Sequence, residues 1–290
     1  ISLTIVESLF LEEKINNSKI ILLSLLTAFL IGIRTLGLLI CFQYLISIVI
    51  LFNIKKININ DFVKKNWKLF LIFTIPLFIF IYIFNPIFWH NPFFEVINSI
   101  NVMSRYWNEL CTLTLGTCMK STSLPASYYF IWFFFKLPIL VIIGLLLFPF
   151  VEKKIFNGTP ASMYYLTLLL SFFLILFIFI LKNVAVYDEI RHILFLVPMI
   201  FLIGLTNLFY FNKKLFISLG SIVFFFFLIE NFSLYPYQYT WLNSFAKFTN
   251  IQKNFEIDYW GISNKNLTKK IVQYAEENSI NKDTCIYGDI

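Results

Sequence analysis

The chain has 290 residues, of which 59% are apolar, 20% aromatic and only 13% charged, which excludes an ordinary water-soluble globule. Its 23 Lys and Arg against 16 acids leave a net charge of +7, and in so hydrophobic a chain that excess reads as membrane orientation rather than nucleic-acid affinity. It starts at Ile1 and stops at Ile290 in an apparent strand, the pattern of an internal piece of a longer protein.

A membrane span needs about 17 to 25 predominantly apolar residues. Residues 67–84, 128–150, 163–181, 193–211 and 215–232 meet that need and are predicted as helices apolar all round. Two shorter runs, 20–33 and 36–52, flank Arg34. Joined into one helix they would be about 50 Å long, against a hydrocarbon core of about 30 Å. The segment GIRTLG, with Gly32 and Gly37 either side of Arg34, therefore predicts a turn between two short helices. The expected fold is an all-α polytopic membrane protein, with those seven hydrophobic helices and the start of a small extracytoplasmic α/β tail.

Lysine and arginine are retained on the cytoplasmic side of short connections. With residues 1–19 as a cytoplasmic segment, inner positions hold Lys14, Lys19, Lys55, Lys56, Lys64, Lys65, Lys68, Lys153, Lys154, Lys213 and Lys214. The short outer connections hold Arg34, Arg105, Lys120, Lys182 and Arg191. Eleven against five sets the orientation. The transmembrane domain is then 20–232, with a long outer loop 85–127 and an extracytoplasmic segment 233–290.

That last segment changes character. YPYQYTWLN is aromatic and polar, as suits the headgroup level of a bilayer. Leu267, Ile271, Val272 and Ala275 recur at helical spacing after Ser263, a candidate N-cap, and Thr284 to Tyr287 reads as a strand.

The informative charges lie beside apolar runs. Arg34 sits between two apolar half-helices, where an arginine costs about 2.5 to 3.5 kcal/mol and takes a partner or a wet cavity. Anion binding and simple snorkelling to the headgroups are both open. In VYDEIRHILFLVP (186–198), Tyr187, Asp188, Glu189, Arg191 and His192 crowd before a helix. Arginine's planar fork matches phosphate oxygens, and His192 adds a donor or a proton relay. The plain alternative is a solvated loop with Arg191 paired to Asp188 or Glu189.

The outer loop brings Trp89, His90 and Glu95 together in FNPIFWHNPFFEV, and RYWNE adds Arg105 and Trp107. Aromatic plates beside polar groups suit a sugar or an amphipathic lipid, and they equally suit an interfacial loop. A divalent metal at His90 and Glu95 is an open alternative, without an HExxH or CxxC pattern behind it. Cys111 and Cys118 form a disulfide if that face is oxidising and stay free thiols otherwise.

Taken in order, GIRTLGLLI, SLPASYYFIWFFFKLPILVI, YDEIRHILFLVPMIFLIG and the pair YPYQYTWLN with FEIDYWGIS resemble the multi-spanning glycosyltransferases of the GT-C fold. These include protein O-mannosyltransferases and the lipid A aminoarabinose transferase. The resemblance runs over about residues 20–263. It implies transfer of a sugar from a polyprenyl-phosphate donor to a protein, lipid or glycan acceptor, outside a bacterial inner membrane. It implies a donor phosphate held by Arg34, Arg191 and His192, and Trp89, His90, Glu95, Arg105, Tyr187 and Asp188 near donor or acceptor. It also implies a catalytic acid in a first outer loop upstream of these residues, so no general base is named. WHNPFFE departs from relatives that carry a glutamate directly before the histidine. The rival reading is a transporter or flippase of an anionic or lipid-linked substrate, marked by paired broken helices or mid-membrane polar groups.

Overall fold

The computed structural model describes residues 2–33, 35–92, 94, 95, 97–99, 109–258 and 261–278. Arg34, Arg105 and Trp107, and the strand expected over 284–287, lie outside the described residues.

The chain is mostly helical. In order come α1 (Ser2–Phe10), α2 (Asn17–Ile33), α3 (Ile40–Lys55) and α4 (Ile59–Phe84), then a hairpin of β1 (Cys111–Thr114) and β2 (Thr117–Lys120). They are followed by α5 (Ala126–Lys136), α6 (Ile139–Leu146), α7 (Phe148–Ile155), α8 (Pro160–Leu181), α9 (Val197–Phe211) and α10 (Lys213–Ser233). The tail adds α11 (Ile251–Asn254) and α12 (Asn264–Glu277). Among the described residues five helical stretches are long and apolar enough to cross a membrane: Gly37–Lys55, Ile59–Phe84, Pro160–Leu181, Arg191–Phe211 and Lys213–Ser233. The protein is therefore a helical, multi-pass membrane protein.

Local chemistry sets the helix ends. Thr159 and Ser162 form a capping box at the start of α8, and Asn212 accepts from the Lys214 and Leu215 amides at the start of α10. Between α2 and α3 the chain turns through a 3-10 segment, Thr35–Leu39. A Cβ on Gly37 would lie 2.5 Å from the Leu30 carbonyl oxygen, so only glycine lets this turn fold back onto α2.

Three expectations are corrected. The span over 128–150 is not one straight helix: it bends by 120° between α5 and α6 at Leu137 and Pro138, while Asn17–Ile33 is short, as expected of the pair around Arg34. The loop 85–127 is not without pattern, because Cys111 to Lys120 pair as an antiparallel hairpin, closed by a Cys111–Cys118 disulfide, so the chain is not all-α. Ser263 makes no capping bond to α12; its hydroxyl and amide bind Asp258 instead.

Two ends of the bundle result. At one, Lys55 lies over the Phe10 ring, Lys213 lies over Phe209, and Lys154 donates to the Tyr210 carbonyl. A small core of Val6, Phe10, Ile50, Leu51 and Met163 closes that end. At the other, the hairpin, the loop before Arg191 and the tail wrap α5, whose Tyr128, Tyr129 and Trp132 are almost fully buried. Trp132 donates to the Thr114 hydroxyl at 3.1 Å, and Thr114 bridges to Phe255 of the tail. Asn243 completes this cap: its side-chain amide donates to the Phe134 and Leu137 carbonyls at 2.6 and 2.8 Å, and its backbone N–H donates to Phe135. These carbonyls are the ones that the break before Pro138 strips of helical partners.

Candidate functional site

The site grows out of a turn. Asp188 and Glu189 both have left-handed backbones, with φ of 54° and 62°. Two successive residues other than glycine in that region store about 1 to 3 kcal/mol of strain each, and persist only where the surroundings fix them. The surroundings do so from two sides. Tyr128 of α5 donates its hydroxyl to the Glu189 carbonyl at 2.7 Å. Lys136 of α5 reaches the Glu189 carboxylate at 2.6 Å, with the two side chains 11% and 4% exposed. The Val186 amide donates to the Ser121 carbonyl just beyond the hairpin.

The turn launches a 3-10 segment, Arg191–Leu196, whose first residues carry the cations. Arg191 pairs with Asp188 at 2.9 Å, and its guanidinium carbon stands 5.1 Å from the centre of the Tyr187 ring. Tyr187 in turn packs on His192, ring centres 4.4 Å apart, and Arg191 Nη2 lies 3.5 Å from His192 Nε2. Four residues predicted for this site, Tyr187, Asp188, Arg191 and His192, thus form one cluster. Of the two pairings open for Arg191, the structure forms the one with Asp188, while Glu189 turns to Lys136.

Arg191 and His192 line a groove of about 440 Å³. Its other walls come from Leu30, Ile33, Gly37, Ile40 and Gln43 on the α2–α3 hairpin, from Ile175 of α8, and from Phe195 and Met199. The turn predicted around Arg34 therefore borders the same groove as Arg191.

Trp89 donates from Nε1 to the Tyr82 carbonyl at 2.7 Å, folding the loop back on α4. His90 is exposed, and Glu95 accepts from Asn98 at 3.4 Å. Among the described residues no three His, Cys, Asp or Glu side chains converge as a metal site.

Burial shapes the acids of the cap. It pushes the Asp188 carboxyl above its usual range, with Arg191 pulling it back. It pushes Glu189 up to about 7, against Lys136, with the Glu256 and Asp188 carboxylates adding to the rise. Glu256 is raised by burial and then by Asp188. Lys136 and Glu256 were not foreseen as site residues. Lys136 had a signal, a lysine followed by Leu-Pro inside an apolar run, which marks a break as much as a charge. Glu256 had none, because only the folded tail brings it beside Asp188.

The chain matches no protein-family model, no curated protein and no solved structure.

Proposed function

We propose that this chain is the lipid-donor-binding part of a membrane glycosyltransferase, one that moves a sugar from a polyprenyl-phosphate carrier to a protein, lipid or glycan acceptor. The observation that carries the reading is the groove with Arg191 and His192 in its wall and apolar side chains along the rest. A polyprenyl phosphate has the matching halves, a branched hydrocarbon tail and an anionic head. Breaking the sugar–phosphate bond leaves extra negative charge on the phosphate. Fixed cations in a poorly hydrated site stabilise that charge as it develops, which lowers the barrier to transfer. The lysines gathered at the opposite end support a reading in which the groove's cationic end and the tail lie on the extracytoplasmic face of a bacterial inner membrane, by the retention of cations inside.

The test is affinity for a long-chain polyprenyl phosphate in lipid nanodiscs, followed by transfer of radiolabelled sugar from the glycosylated carrier. Arg191→Ala is expected to weaken phosphate binding about tenfold or more, equivalent to about 1.4 kcal/mol, while leaving binding of the uncharged polyprenol unchanged. Equal affinity for phosphate and alcohol in the parent protein would remove the reading. Movement of the carrier across a sealed bilayer without sugar transfer would replace it with the flippase alternative.

A further inference from the structure

Resting on that reading, we infer that the buried Lys136–Glu189 pair is a positioning pair for Arg191 and His192, and that its hold on them weakens as Glu189 loses its proton.

The geometry runs through the backbone. Glu189 lies one residue after Asp188 and two before Arg191, inside the left-handed turn that aims the 3-10 segment. The Arg191 amide donates to the Asp188 carbonyl at 3.3 Å, so the first bond of that segment starts from the turn itself. Anchors on Glu189 therefore set where Arg191 and His192 begin. Two come from α5, at the hydroxyl of Tyr128 and the ammonium of Lys136. Lys136 is itself fixed by the Tyr239 carbonyl at 2.8 Å, which ties the tail to the same anchor. Remove the Glu189 carboxyl and the tightest of these ties is lost, in a place where little water can substitute.

The groups that face Glu189 make its ionisation conditional. Lys136 and Tyr128 approach from α5, Asp188 and Arg191 from its own loop, and Glu256 from the tail. One cation directly contacts the carboxylate, while two further carboxylates oppose its charge. Oε2 takes the lysine, whereas Oε1 is buried without a hydrogen-bond partner, a position a proton can occupy. The balance puts the titration close to neutral, about 7, where Glu189 is about half protonated. The sign follows from the rise above the ordinary 4.5. The folded state holds its proton more tightly than the unfolded one, so this group's contribution to stability is full below about 4.5 and is lost as pH rises through about 7. The turn that positions Arg191 and His192 is thus held more firmly when Glu189 is protonated than when it is charged.

Two readouts test the inference in the intact chain. The first is affinity for the polyprenyl phosphate at about pH 6 and about pH 8. The lipid's own second ionisation contributes to every such profile, so the decisive quantity is the difference between parent and Glu189→Gln. The parent is expected to lose about tenfold in affinity relative to Glu189→Gln across that interval. Lys136→Arg, which keeps the charge, is expected to retain the parent's loss. Superimposable profiles for parent and Glu189→Gln would overturn the inference. The second readout needs no ligand: hydrogen exchange of the amides over 186–196, corrected for intrinsic rates. It should be faster at the higher pH in the parent and independent of pH in Glu189→Gln. A parent protein that binds no polyprenyl phosphate at any pH defeats the glycosyltransferase reading, and the exchange data then decide alone whether Glu189 governs the segment. Exchange that does not change with pH in the parent overturns the positioning role.

Discussion

The helices α4 and α10 and the cap around α5 are built from similar apolar and aromatic residues, yet they use them in opposite ways. Within the protein α4 buries Leu77 alone and α10 nothing, so Phe70, Phe78, Phe225 and Phe226 all stay exposed. The cap buries Tyr128, Trp132 and Phe255 and, among them, the Lys136–Glu189 pair. In a membrane, lipid is as apolar as a leucine side chain, so hydrophobicity alone draws no helix into the core. Close backbone approach and satisfied polar groups decide burial instead. The charges that matter here are therefore inside the cap, and the greasiest surfaces face outward.

The sharpest way to break that contrast is at two glycines. A Cβ on Gly144 of α6 would stand 2.0 Å from the Gly204 carbonyl oxygen of α9, so Gly144→Val must push two backbones apart. It is expected to cost about 3 kcal/mol or more, read as a lower midpoint of thermal unfolding in detergent. At Gly220 of α10 nothing lies within 4 Å of the added atom, and Gly220→Ala is expected to leave the midpoint unchanged or raise it. A similar loss at both positions would show that α10 is packed against something.

A smaller effect is expected at Asn243, whose side chain holds two carbonyls at the α5–α6 break. Asn243→Ala leaves both without that donor and should cost about 1 to 3 kcal/mol, with faster hydrogen exchange over 134–142. If exchange rises only in the tail, the break is held by something other than Asn243. The smallest effect belongs to the exposed pair of Lys247 and Glu230, 3.5 Å apart. Lys247→Ala is expected to move stability by no more than about 1 kcal/mol, and salt should remove whatever it does contribute.

These differences also explain which features could be read before the fold was known. The apolar runs 163–181, 193–211 and 215–232 correspond to α8, to α9 with its preceding turn, and to α10, because a span needs only length and hydropathy, both of which are local. The turn between α2 and α3 was legible from Gly32, Arg34 and Gly37, since helix length and glycine placement left few alternatives. The break at Leu137 was written in Lys136 and Pro138 but hidden by the apolar residues on both sides. The cluster of Tyr187, Asp188, Arg191 and His192 is contiguous in the chain, and its crowding was visible as such.

Sequence by itself determined that this protein is helical and membrane-embedded, where its long helices run, and which short segment concentrates charge, because each of these follows from nearest neighbours along the chain. Only the tertiary structure decided which acid Arg191 takes, that Glu189 reaches across to Lys136, and that the α2–α3 turn closes a groove against Arg191. The last two join residues tens to more than a hundred positions apart, and the first follows from the second, because Glu189 is taken by Lys136. They are selected by shape and by the need to satisfy buried polar groups, and neither leaves a periodic mark in the sequence.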